Sequence, residues 1–294
     1  MRVLFVINPK SGNRPEETLE KTISDQSKKQ SFEYRIYKMQ GKDDTSFIKK
    51  EIKSYNPQII AGAGGDGTVN LLSKLLLNTG KTLLIVPLGS ANGMARELGI
   101  SNRIDQCLEL LSKGFTREID LLKINGHICI HLADVGLNAR IVKRFEQDNR
   151  RGLLTYAKHM FYELFLIKQY KFYIKYDNNE VSRKAVSLTF ANASKYGTGA
   201  VINPTGRIND GKFELVIVKP FPRVKLLSIA WKMFNGTLQT SEYVEVLGCK
   251  QALIRSSRKT TLQIDGEIIG KTREIRLEIL EKALKVLVPS EKIS

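Results

Sequence analysis

The texture of the chain changes near residue 120, and that change limits the fold more than any other feature. Before it, short apolar runs alternate with amphipathic stretches. Val3–Ile7 reads as a strand, a helix follows from about Pro15 to Lys29, and Phe32–Lys38 is a second strand. A helix over Asp43–Ser54, a strand over Gln58–Ala61, a helix over Thr68–Leu77 and a strand over Leu83–Val86 complete the series. Asp43, Asp44 and Thr45 are each able to cap the second of these helices. Strand–helix alternation at this pitch implies a mostly parallel sheet covered on both faces.

Beyond about Asp120 the runs become strand-like with few helices between them: Leu121–Ile124, His127–Ala133, Lys171–Tyr176, Ala185–Ala191, Phe213–Val218, Tyr243–Val246, Gln251–Ile254 and Thr261–Ile264. The turns NGH, DNNE, NDGK and DGE read as hairpins. Leu153–Gln169 and Lys225–Phe234 are apolar at helical spacing. The expectation is therefore an α/β domain over residues 1–122 followed by an antiparallel β-sandwich over 123–294, with Ala283–Val288 able to return to the first domain. A length of 294 residues accommodates two such domains.

Charge narrows the partners. The 47 Lys and Arg against 30 acidic residues give +17, which favours polyanionic partners such as nucleic acid, an anionic membrane or phosphorylated ligands. The basic residues are spread along the chain, which argues for a broad positive face and against a nucleic-acid-binding tail. Cys107, Cys129 and Cys249 are far apart and odd in number, so neither a disulfide framework nor a zinc site follows, and a reducing cytosol is expected. The opening apolar run is too short for a secretory signal, and no stretch reaches the roughly 18 apolar residues of a membrane-spanning helix. His127, His131 and His159 pair with no Cys or acid at metal-ligand spacing and read as structural or surface residues.

Ile59-Ile60-Ala61-Gly62-Ala63-Gly64-Gly65-Asp66-Gly67-Thr68-Val69-Asn70, between a strand and a helix, carries the chemistry of the first half. Four glycines within six positions remove the Cβ atoms that would hold a ligand off the backbone, and the following helix offers unpaired N–H groups to a phosphate. Thr68 can cap that helix, and Asp66 can hold a metal or an incoming donor. A dinucleotide-binding fingerprint would add an acid about 20 residues later, but none occurs between Asp66 and Glu97. A Walker A loop would need Lys-Ser/Thr after the glycines, which is absent. Two further loops, Asn8–Asn13 and Pro87–Gly93, also follow predicted parallel strands, the end where α/β sheets bind ligands.

Together these stretches resemble the diacylglycerol kinase catalytic family, which includes bacterial lipid kinases and the sphingosine and ceramide kinases. NPKSGN, GGDGTVN (Gly64–Asn70) and PLGSANGMARELGI (Pro87–Ile100) carry the resemblance in the first half. HLADVGLNARIV (His131–Val142), ANASKYGTGAVINPTGRINDGKFELVIV (Ala191–Val218) and DGE (Asp265–Glu267) carry it in the second. GGDGT alone is shared with NAD kinases. The resemblance implies an NAD kinase/phosphofructokinase-like α/β domain plus the β-sandwich, with ATP bound between them. It implies nucleotide contacts at Asn8, Pro9, Lys10, Ser11, Gly12, Gly64, Gly65, Asp66, Gly67, Thr68, Asn70 and Ser90. Glu267 matches the proton acceptor for the lipid hydroxyl, with Asp265 beside it, and Arg207, Asp210 and Lys212 match a structural Mg²⁺ site. Three positions depart from the family's pattern: Leu71 where Glu is common, Gly93 where Asp is common, and Tyr37 near the family's threonine.

Read from the residues alone, Asp265 and Glu267 lie two apart, so on one strand both would face the side opposite Leu262 and Ile264; Asp-Gly is equally a hairpin turn. A carboxylate in a partly desolvated site can take an alcohol proton while Mg²⁺ neutralises the phosphates. Trp231 and Phe234 beside Arg223, Lys225 and Lys232 suit either a membrane interface or a core helix end, and Lys143, Arg144, Arg150 and Arg151 suit lipid headgroups or water. The resulting expectation is a cytoplasmic, peripherally membrane-associated kinase using ATP and Mg²⁺ on a lipid hydroxyl, without a nucleic-acid partner, and as a possible homodimer by the resemblance. An NAD kinase-like phosphotransferase and a non-catalytic basic membrane module are the alternatives.

Overall fold

The structure is a computed structural model, and it describes residues 1–12, 16–136, 168–195 and 201–289. The expected helix over Leu153–Gln169, apart from its last two residues, the basic run at 143–151 and His159 lie outside the described residues. The chain divides into two compact units: Met1–Ile119 together with Lys282–Ser294, and Asp120–Glu281. The division therefore falls slightly before residue 122, and the final residues belong to the first unit.

The first unit is built on strands β1 (Arg2–Ile7), β2 (Glu33–Lys38), β3 (Ile59–Gly64) and β4 (Thr82–Pro87). All pair in parallel, in the order β4-β3-β1-β2. β1, β3 and β4 are continuous apolar runs almost wholly excluded from water, as strands covered on both faces must be. β2, at the edge, is only half-buried. Helices α1 (Glu16–Gln30), α2 (Asp44–Tyr55) and α3 (Asp66–Leu76) follow the first three strands, near the expected positions. Two more helices, α4 (Gly93–Glu97) and α5 (Ile104–Lys113), were not anticipated. α5 presents Ile104, Cys107, Leu108 and Leu110 inward, and Gln30 of α1 donates a side-chain hydrogen bond of 3.0 Å to the Leu108 carbonyl.

A cap from Asp43, Asp44 or Thr45 does not form on α2: Asp43 occupies the N-cap position in a left-handed conformation with no side-chain cap bond. Asp44 instead turns back on the loop after β2. Its carboxylate accepts the Tyr37 hydroxyl and the N–H groups of Gln40 and Gly41, each at 2.8 Å. Despite burial, these donors and the nearby Lys10 charge hold the Asp44 carboxyl below its ordinary range, while burial and Asp44 push Tyr37 up to about 12.

The second unit is antiparallel. Strand β5 (Phe115–Ile124) enters it and turns at Asn125-Gly126 into β6 (His127–Cys129). The strands β7 (Leu132–Gly136), β8 (Tyr170–Tyr176), β9 (Asn179–Ala185), β10 (Ser187–Ala191), β11 (Phe213–Val218), β12 (Val244–Cys249), β13 (Gln251–Ile264) and β14 (Glu267–Val288) follow. The neighbour order is β12-β11-β10-β7-β13-β14. β13 is long enough to serve two partners: Ala252–Ser256 pairs with β8, and Leu262–Ile264 pairs with β7. The register against β14 breaks between Arg255 and Thr260, where a bulge lets one strand change neighbours. Phe172, Phe190 and Phe213 lie fully buried in the resulting core, with Leu188, Leu215, Ile254 and Ile264 around them. Helix α6 (Leu226–Phe234), preceded by a 3-10 turn over Arg223–Lys225, rests Ile229 on Ala191, Val216 and Leu238.

Three of the four expected hairpins form as two-residue turns: Asn125-Gly126, Asp177-Asn178 and Asp265-Gly266. NDGK is not a hairpin; it leads into β11, whose partners are β10 and β12. The last residues of β14 lie beside β4, with Lys285 and Val286 parallel to Thr82 and Leu83, so the first unit's sheet ends in a strand delivered from the far end of the chain.

Candidate active site

The strand order of the first unit reverses direction between β1 and β3, and ligands of open α/β sheets bind at the carboxyl ends beside such a point. The loops after β1, β3 and β4 are fastened together there. Asn8 donates its N–H to the Ala63 carbonyl at 2.9 Å, accepts the Lys10 N–H on its side chain at 3.1 Å, and donates its amide to the Thr68 hydroxyl at 3.3 Å. Gly12 has a φ of +78°, and a Cβ there would strike the Leu88 carbonyl of the third loop. Gly65 and Gly89 pack backbone on backbone, so a Cβ on Gly89 would lie 2.6 Å from the Gly65 Cα. The third loop is also tied to the second by the Leu88 N–H, which donates to Gly64 at 2.9 Å.

Asp66 completes the fastening. Its carboxylate accepts the N–H groups of Gly93, Met94 and Asn92 at the start of α4, with Arg96 nearby. Burial pushes its carboxyl above the usual range against the pull of those donors. The incoming donors expected at Asp66 are thus the chain's own amides. Thr68 does not cap α3, since Gly65 is its N-cap and the Thr68 side chain instead meets Asn8. Gly67 is exposed, and a Cβ there would meet no atom within 4 Å, so its backbone is open to a ligand. Ser90, Pro9 and Lys10 are exposed on the flanking loops. Asn70 is buried with its side-chain oxygen unpartnered, and so is Asn92, whose amide donates to Gly89 at 2.7 Å. Asn92 and Asp44 were not singled out in the sequence; the first stands within a quoted motif, but the second had no signal beyond its place at a helix start.

In the second unit the DGE segment is a turn. Asp265 and Gly266 have φ of +49° and +88°, and Ile264 pairs with Glu267 across them. Asp265 and Glu267 therefore do not share one strand face. The Asp265 carboxylate accepts the N–H groups of Ile130 and His131 at 2.9 Å and of Leu132 at 3.2 Å, with the Cys129 thiol at 3.3 Å. Burial raises its carboxyl while these donors oppose the rise. The same clamp explains why the expected strand His127–Ala133 is broken: the amides of Ile130 and His131 go to a carboxylate, not to a ladder. Gln263 supports the turn from below, donating to buried Asp134 at 2.6 Å and accepting the Gly266 N–H at 2.8 Å. Glu267 is exposed at the start of β14. His131 is partly buried, with its Nε2 excluded from water and unpartnered, and burial lowers its pKa to about 4.

Arg207, Asp210 and Lys212 are all exposed. Asp210 accepts the Lys212 N–H at 3.1 Å, and the Gly211 N–H between them donates to buried Asp120 at 2.7 Å. Glu214 lies close by, hydrogen-bonded by Asn203 at 2.6 Å, and burial with the Asp210 charge raises its pKa to about 7. Among the described residues no cluster of three or more His, Cys, Asp or Glu is arranged to hold a metal ion. Of the three residues only Asp210 has a side chain that could hold Mg²⁺; Arg207 and Lys212 could contribute backbone carbonyls alone, their side chains being cationic.

Glycine-bearing loops at the carboxyl ends of a parallel sheet form a surface of the kind that binds phosphate, and the same chain carries an antiparallel sandwich. Residues 2–124 match the diacylglycerol kinase catalytic domain, and residues 132–288 match the YegS C-terminal NAD kinase beta sandwich-like domain. The chain belongs to the diacylglycerol kinase catalytic-domain family, in the branch that carries a YegS-type second domain, and is by family a kinase. It is 26% identical over 259 residues to the probable lipid kinase YegS of Salmonella newport, covering 85% of this chain and 84% of that protein. It is also 27% identical over 264 residues to the uncharacterized protein sll0036 of Synechocystis, covering 85% of this chain but 60% of the longer relative. A crystal structure of a diacylglycerol kinase from Bacillus anthracis shares the fold with a TM-score of 0.79 at 20% identity, over 100% of this chain and 98% of that one.

Proposed function

We propose that this protein transfers the γ-phosphoryl group of ATP to a hydroxyl of diacylglycerol or a related membrane lipid. The observation that carries the reading is the fastened set of loops at Asn8–Gly12, Gly65–Thr68 and Leu88–Gly93, which leaves the backbone at Gly67 open beside the start of α3. Phosphoryl transfer demands positioning and charge stabilisation more than covalent chemistry, and fixed backbone N–H groups supply both. Asn8, Pro9, Lys10, Ser11 and Gly12 would line one side of the triphosphate, and Gly64 to Asn70 with Ser90 the other. Asp66 acts by holding the α4 amides in place.

Glu267 receives the proton of the lipid hydroxyl. Asp265 has its oxygens committed to backbone donors, so its part is to hold the turn that presents Glu267. Mg²⁺ brought with the nucleotide would supply charge neutralisation, and a separate structural Mg²⁺ would be held by the Asp210 carboxylate with carbonyls of Arg207 and Lys212. The acceptor is reached from the aqueous side of the membrane. Among the described residues no helix is long and apolar enough to cross it, and Cys107, Cys129 and Cys249 are buried thiols not joined in a disulfide, which fits a reducing compartment.

The test incubates the protein with γ-labelled ATP, Mg²⁺ and mixed lipid vesicles, beside a Glu267→Gln variant and a tube containing NAD. Label should enter an organic-phase product and fall about 10²- to 10⁴-fold in the variant, the range for loss of a general base. Label in NAD would replace this reading with a nucleotide kinase, and no transfer at all with a binding module.

A further inference from the structure

We propose that the outer face of α6, with the turn before it, is the surface by which this protein seats on an anionic lipid bilayer, with Trp231 and Phe234 entering the headgroup layer. The proposal rests on the lipid-kinase reading for its purpose, but its geometry stands apart from the phosphate loops. α6 is held from its inner side, where Ile229 packs with Ala191, Val216 and Leu238. Its C-terminal end is pinned as well. Met233 accepts the Val201 N–H at 2.8 Å, and the Lys232 ammonium donates to the Thr240 hydroxyl at 2.9 Å.

The outer side is apolar and uncovered. Trp231 is 71% exposed, Phe234 61% and Val224 84%. Trp231 and Phe234 are three residues apart and share a helix face, with Val224 seven residues before Trp231. Neighbouring large apolar side chains left in water on one helix face mark an interaction surface, where a single one would not. Trp in particular favours the membrane–water boundary, where its ring is apolar and its N–H still finds a partner.

Charge decides between a bilayer and a second protein. Lys219–Thr240 contains four basic residues, Lys219, Arg223, Lys225 and Lys232, and no acid. The next acids are Glu242 and Glu245, and Glu245 is neutralised by Arg183 at 2.8 Å and Lys219 at 3.2 Å. An apolar face on a segment that carries basic residues and no acid complements anionic headgroups, and disfavours a second copy of the same face. A shallow, salt-sensitive seat of this kind delivers a soluble catalyst to a substrate that does not leave the membrane.

Trp231 is the sole tryptophan, so the native protein reports its own docking. On vesicles containing phosphatidylglycerol its emission should shift to the blue and be quenched by lipids brominated high on the acyl chain. Phosphatidylcholine vesicles or high salt should weaken the response. A Val224→Ser/Phe234→Ser variant should bind phosphatidylglycerol vesicles about tenfold or more weakly, the scale for one large apolar group left in water. Its melting temperature and its turnover of a dispersed short-chain diacylglycerol should not change. Vesicle binding with unmoved Trp231 emission would overturn the proposal, as would no binding. A blue shift that grows with protein concentration without lipid would overturn it too, assigning the face to a second copy. If Trp231 inserts and no lipid is phosphorylated, the seat stands and the lipid-kinase reading falls.

Discussion

Asp66 and Asp265 show how a carboxylate in a kinase motif can serve by gripping backbone. Each accepts three amides of a segment distant in sequence or separated by a strand: Asn92, Gly93 and Met94 for Asp66, and Ile130, His131 and Leu132 for Asp265. Removing either leaves several donors without partners at once. Asp66→Ala should destabilise the protein by about 1–3 kcal/mol, the cost of stranding buried donors, and weaken binding of an ATP analogue as the third loop loosens. Urea unfolding and nucleotide titration would check both parts; unchanged stability would refute the fastening role. Asp265→Ala should likewise unfold at lower urea, whereas Glu267→Gln should lose turnover and keep its unfolding midpoint, because Glu267 is exposed. These roles were hidden in the sequence. The letters GGDG and DGE announce a site, but which atoms a carboxylate meets depends on loops that the local pattern does not place.

The elements were more legible than their caps and joints. Short apolar runs separated by amphipathic stretches located β1, β3, β4 and α1–α3, because central parallel strands covered on both faces read as near-continuous apolar segments, although β3 continues to Gly64, past its expected end. α5 has Ile104, Cys107, Leu108 and Leu110 at helical spacing, but at ten residues it is a short signal directly behind a glycine-bearing loop. β14 was seen only at its apolar end. Its middle alternates Arg, Glu and Lys with apolar residues, and such half-exposed strands carry a weak signal. The end that pairs with β4 is nonetheless structural for the first unit. Leu284, 1% exposed, should cost about 2–5 kcal/mol when cut to Ala, the usual range for a fully buried leucine. Circular dichroism during urea titration would measure this; a loss below 1 kcal/mol would mean that the returning strand is dispensable.

At the scale of the molecule, two partly buried titratable groups pull stability in opposite directions with pH. Burial lowers His131 to about 4, so the fold favours its neutral form, and the stability this provides is lost as pH falls from the ordinary histidine value of 6.5 toward 4. Burial raises Glu214 from 4.5 to about 7, so the fold favours its protonated form, and stability is lost as pH rises through that window. Glu214→Gln, which keeps the acceptor for Asn203, should therefore melt increasingly above the parent as pH goes from 4.5 to 7, with the gap constant beyond. A gap independent of pH would place the Glu214 carboxylate in water.

The sequence by itself determined the class of both halves, the places of most strands and the family, since these follow from local periodicity, turn chemistry and motif letters. Only the tertiary structure decided that Asp66, Asp265 and Asp44 bind backbone, that residues 282–289 complete the first sheet, and that Trp231 faces water. The reason is physical: periodicity records which side of an element is buried, whereas a carboxylate's partners and an aromatic's exposure depend on segments brought together from far along the chain.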